Sequence, residues 1–102
     1  LGTIEFHGYD AAPQEQQFAE IEATIADATH GQEAGKLEFK VAEFDGTVTT
    51  GLTLDGDTDV NGEIDVTIGA GPGSLTTIGG NLTVGSHGGS HNRMLEFQRQ
   101  FT

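Results

Sequence analysis

The chain has 102 residues, among them 16 Gly, no Cys and no Trp; 34% are hydrophobic, and 16 acidic residues against 4 basic ones leave a net charge of -12. The lack of Cys excludes disulfide scaffolds, thiolate zinc sites and cysteine nucleophiles. No apolar run approaches the roughly 18 residues of a membrane span, and the charge opposes a phosphate backbone, so neither membrane insertion nor nucleic acid is expected. Six Phe and one Tyr are a thin apolar complement against an ordering cost of roughly 1.5 kcal/mol per residue. The chain is therefore expected either to be partly disordered or to complete its core with other chains.

From the N-terminus, no signal-peptide pattern is present. Leu1 stands where a starting Met would, which suggests a processed product or a piece of a longer chain. Ile4-Glu5-Phe6 is the first of three similar triplets, the others being Leu37-Glu38-Phe39 and Leu95-Glu96-Phe97. In a strand, the apolar residue and the Phe of each triplet share one face while Glu points to the other. Residues 14–28 read two ways. Phe18, Ile21, Ile25 and Ala28 fall at helical spacing, and Ala, Glu and Gln favour a helix. Yet Ala19, Ile21, Ala23 and Ile25 also alternate strictly with Glu20, Glu22 and Thr24, as a strand requires.

A turn-rich link, Asp27 to Gly35, leads into a strand expected from Lys36 to Phe44. Asp45-Gly46 is a tight hairpin signal before a second strand from Thr47 to Leu54. No basic residue falls between Val41 and Asn92, where alternating apolar and polar residues punctuated by Gly indicate short strands and turns. Val60-Asn61-Gly62-Glu63-Ile64-Asp65-Val66 is echoed by Ile78-Gly79-Gly80-Asn81-Leu82-Thr83-Val84. A Gly followed by two alternating apolar residues cannot close a core alone, but stacked copies or neighbouring chains could close one.

Gly2-Thr3-Ile4-Glu5-Phe6, Phe18-Ala19-Glu20-Ile21, Gly31-Gln32-Glu33-Ala34-Gly35-Lys36-Leu37-Glu38-Phe39 and Leu52-Thr53-Leu54, in that order, resemble a module of tail fibre and tailspike proteins of tailed bacteriophages. Ile78 to Val84 is similar to the Gly-Gly-Asn-Leu-Thr-Val turns of such fibre shafts, those of cyanophages included. The resemblance spans roughly residues 2–85 and implies an all-β, elongated homotrimer, without enzymatic activity or cofactor, with residues 14–28 as a strand. It implies a three-stranded β-module over 1–47, Gly-rich, intertwined or stacked β-shaft repeats over 48–85, and a linker with the start of a further strand over 86–102. Phe6, Phe39, Leu52, Leu54, Ile64, Val66, Leu82 and Val84 would then face a shared trimer axis. The expected partners are two further copies of the chain, other virion tail proteins, and a host surface receptor reached through a distal region. The expected place is the extracellular virion tail fibre. No receptor-binding tip or chaperone domain is visible, so the segment reads as shaft or connector.

Other chemistry competes with this reading. Asp57-Thr58-Asp59-Val60-Asn61-Gly62-Glu63-Ile64-Asp65 follows the first nine positions of an EF-hand-like calcium loop, with Asp57, Asp59, Asn61 and Asp65 as ligands. Ile68 stands where the bidentate Glu belongs, and the alternative is a plain Asn-Gly turn. A calcium-dependent adhesin or carbohydrate-binding module and a capsid decoration protein are the rival functions. His87 and His91 flank a Gly-Gly pair that reads as a linker rather than a metal-binding helix. No two carboxylates are placed as a glycosidase pair, and Gly69 to Ser74 lacks the Lys of a phosphate loop.

Overall fold

A computed structural model describes residues 1–85 and is all-β. Strands β1 (Gly2–Tyr9), β2 (Glu15–Asp27), β3 (Ala34–Ala42), β4 (Val48–Gly56) and β5 (Ile64–Ile68) follow one another along the chain. They form one open antiparallel sheet in the same order, a simple meander with β1 and β5 at its edges. The expected all-β class holds; residues 15–27 form a single 13-residue strand. Its helix formers yield because β1 and β3 both pair with it, and propensity differences of a few tenths of a kcal/mol per residue are easily outweighed by such context. The triplets Ile4 to Phe6 and Leu37 to Phe39 lie in β1 and β3; Leu95 to Phe97, His87 and His91 lie outside the described residues, as does the division 86–102.

Each connection is closed by a short polar side chain. Asp10 Oδ1 accepts the N–H groups of Ala12 and Gln14 at 2.8 and 2.7 Å, and Asp27 Oδ1 that of Thr29 at 2.9 Å. In the β3–β4 hairpin, Asp45 Oδ1 accepts the Thr47 N–H at 2.9 Å and Gly46 N–H donates to the Glu43 carbonyl at 2.9 Å. Gly46 takes φ 88°, a left-handed conformation that costs an L-residue roughly 1–2 kcal/mol; this is why Asp45-Gly46 marks the turn. Backbone N–H bonds also hold the Asp10, Asp27 and Asp45 carboxyls below the usual carboxylate range.

Pairing slips by one residue in β2 at Phe18 and at Ala26, and in β4 at Gly51. Such bulges bend a strand and sharpen its twist. The Phe18 bulge turns that ring across Gly8, where a Cβ would sit 3.4 Å from it. The division expected at 47/48 falls in the hairpin joining β3 to β4, two paired strands of the same sheet. The two copies of the 18-residue echo differ in conformation. Val60 to Val66 makes a turn and enters β5, whereas 78–84 carries no strand.

Candidate assembly face and acidic loop

Strand alternation and register sort the sheet into two unlike faces. One row crosses all five strands as Ile4, Ile21, Phe39, Leu52 and Ile68. The next, on the same face, runs Gly2, Ala23, Leu37, Leu54 and Val66. A third begins Phe6, Ala19, Val41 and reaches Thr49. At the other end, Ile25 lies opposite Gly35 and Ile64 opposite Gly56. The small residues there leave a shallow groove of about 500 Å³ bordered by Leu37, Leu54, Val60 and Ile64.

Nothing within the described residues covers this face. None of its hydrophobic side chains is buried; Ile4 is 58%, Phe6 48%, Val66 56% and Ile64 65% exposed. A sheet that is apolar on one side normally buries that side against a second layer. Of the residues expected at a shared core, Phe6, Phe39, Leu52, Leu54, Ile64 and Val66 stand together on this face. Leu82 and Val84 lie beyond the sheet, in an exposed segment without strand structure. Ile4, Ile21, Leu37 and Ile68 belong to the same face without being among the residues expected at the shared axis, although the alternation that places Phe6 and Phe39 there reaches each of them.

The opposite face is charged. Glu5 lies opposite Glu20, Glu22 opposite Glu38, and Asp55 opposite Asp65, like-charge pairings that by themselves destabilise a sheet. Lys40 offsets two of them. Its Nζ lies 2.8 Å from Glu22 Oε1 and 3.4 Å from Glu20 Oε2, and these contacts, led by the Glu22 hydrogen bond, raise the Lys40 pKa. The Thr50 hydroxyl donates to Glu38 Oε2 at 2.6 Å and, with Lys36 and Lys40 adding weaker attraction, holds that carboxyl below its ordinary range. His7 bridges Glu5 and Glu15 at 2.8 and 3.3 Å beside the β1 edge.

The Asp57 loop is organised as a turn. Asp57 Oδ1 accepts the N–H groups of Asp59 and Val60, both at 2.7 Å, which lowers its pKa. The Asp57 N–H reaches the Glu63 carbonyl at 3.1 Å, and Gly62 supplies the left-handed residue at φ 84°. Asp59 and Asn61 sit on the loop, while Asp65 stands on β5 opposite Asp55. Among the described residues, no three His, Asp or Glu side chains gather as a metal-binding group.

No protein-family model, curated protein or solved structure matches the chain.

Proposed function

We propose that the chain is a non-enzymatic structural segment of a homotrimeric fibre of the bacteriophage tail-fibre kind, working as shaft or connector. The observation that carries this reading is the apolar face that spans all five strands with no second layer over it among the described residues. An exposed face of that extent marks a binding surface. A second and third copy of the chain are its simplest occupants, because each brings the same uncovered face.

Side-chain size supports three copies over two. Across the second row, size rises from Gly2 through Ala23 to Leu37 and Leu54 and falls again to Val66, and in the first row the largest side chain is Phe39; the third row runs the other way, with Phe6 on the β1 edge. Two sheets face each other at a nearly uniform ~10 Å, whereas three sheets of five strands, each roughly 20–24 Å wide, enclose a prism whose axis lies about 6–7 Å from each central strand. The prism is deepest opposite β3, where Leu37 and Phe39 stand.

The acidic opposite face then looks outward, and its charge keeps fibres soluble and apart. Attachment to other virion tail proteins and to a host receptor through a distal region, in the extracellular tail fibre, completes the reading, with no cofactor assigned. Native mass spectrometry tests it directly. A mass of three chains is expected, and a folded monomer at micromolar concentration overturns it.

A further inference from the structure

β1 is an edge strand of eight residues. Its outward N–H and C=O groups form a template for another strand. A candidate for that place comes from the same chain type. After β5, a turn closes with the Ser74 N–H on the Gly71 carbonyl at 3.0 Å. Residues 75–85 then make no hydrogen bond to any other described residue. Their apolar side chains stand in solvent, Leu82 at 69% and Val84 at 60% exposure. Apolar residues two apart with Thr83 between them form a strand pattern in search of a sheet.

We propose, resting on the trimer reading, that residues 81–84 of one copy add as a further strand to the β1 edge of the neighbouring copy. Three features point there. First, the segment leaves its own sheet from β5, the edge opposite β1, so a rotation that brings β5 of one copy beside β1 of the next also delivers the segment. Such a head-to-tail contact closes after three copies under threefold rotation. Second, the side chains match. Leu82 and Val84 set against Ile4 and Phe6 continue the apolar rows, and this alignment puts Thr83 beside Glu5 whichever way the added strand runs.

Third, the charge fits. Glu5 already faces Glu20 across β1 and β2, and a third carboxylate in that line would add repulsion. The stretch from Val66 to Asn92 contains no Asp, Glu, Lys or Arg, in a chain otherwise crowded with acids. A neutral strand is what an acidic edge accepts. β-strand addition of this kind draws affinity from main-chain hydrogen bonds and specificity from alternate side chains.

The chain has no Cys, so the paired variant Glu5→Cys/Thr83→Cys reports the contact cleanly. Oxidation is expected to give covalent dimers and closed trimers on a non-reducing gel, which neither single variant gives. A disulfide within one chain would overturn the proposal by showing that the segment returns to its own sheet. Absence of any disulfide while the native mass is that of three chains would overturn it and leave the trimer standing; a monomeric native mass would remove both. Thr83→Asp, which sets a third carboxylate in line with Glu5 and Glu20 on the charged face and leaves the apolar rows intact, provides a second measurement. It is expected to keep the trimer mass while the amides of residues 2–9 exchange with deuterium at least about tenfold faster, and unchanged exchange in a trimer would overturn the proposal.

Discussion

Replacing Phe39 by Asp separates an open single-layer sheet from a closed three-sheet assembly. Phe39 is central in the first apolar row, between Ile21 on β2 and Leu52 on β4. If the face stays open to water, the change removes only part of a side chain's burial, worth about 1 kcal/mol of the roughly 1.5–3 that full burial gives. In the trimer, three carboxylates meet near the axis. Lost Phe burial accounts for about 2 kcal/mol per chain. Carboxylates roughly 8 Å apart repel by about 2 kcal/mol per pair at an effective dielectric of ~20. The total is on the order of 12 kcal/mol per trimer before desolvation is counted, or about nine orders of magnitude in the association constant.

The assay is native mass together with melting measured over a hundredfold range of concentration. The unsubstituted protein should melt at a temperature that rises with concentration, as a folded oligomer does. Phe39→Asp should be monomeric at pH 7. Because closing the assembly favours the neutral carboxyl, it should regain trimer mass as the pH falls below about 4, near the ordinary Asp value. Thr53→Lys, which puts a charge on the opposite face beside Glu38, should keep the trimer mass. A Phe39→Asp chain that stays trimeric at pH 7 would refute the placement of this face at the axis.

Other perturbations address local parts of the sheet. Gly46→Ala should destabilise the protein by about 1–2 kcal/mol through the left-handed turn residue, whereas Gly51→Ala, with no positive φ and nothing within 4 Å of the new Cβ, should leave the midpoint of chemical unfolding nearly unchanged. Asp45→Ala should lower the melting temperature at pH 7. The Asp45 pKa is depressed on folding, so its contribution is present above the unfolded carboxylate pKa and lost as pH falls through the lower folded value. The difference between the two proteins should therefore vanish in strong acid. Lys40→Met should leave Glu20 and Glu22 without their shared cation and reduce stability, by an amount that shrinks in high salt. The Lys40 pKa is raised above 10.5, so its contribution should persist through neutral pH and be lost only as pH rises through the folded value, a dependence that alkaline melting curves would reveal.

How much of this was legible in the sequence follows from the range over which each signal acts. Alternation is local, so Phe6, Phe39, Leu52, Leu54, Ile64 and Val66 could be placed in one phase before their strands were known to be neighbours. The same rule places Ile21, but there it competed with helical spacing of Phe18, Ile21, Ile25 and Ala28. What settles residues 15–27 is pairing to β1 and β3 on either side, which no window of 13 residues contains. Asp45-Gly46 could be read because a left-handed glycine announces itself in two letters.

Bulges are a different matter. Phe18, Ala26 and Gly51 are extra residues only with respect to a partner strand, and the Phe18 bulge is what carries that ring from the charged phase onto the apolar face over Gly8. The like-charge pairs Glu22 with Glu38 and Asp55 with Asp65 were invisible for the same reason, since register alone makes them opposite. The Asp57 motif shows the converse limit. Its spacing satisfies a calcium pattern, yet in the folded loop Asp57 accepts two backbone N–H groups and Asp65 belongs to the pleat of β5. The four residues of the pattern divide between the loop, which carries Asp57, Asp59 and Asn61, and β5, which carries Asp65 opposite Asp55.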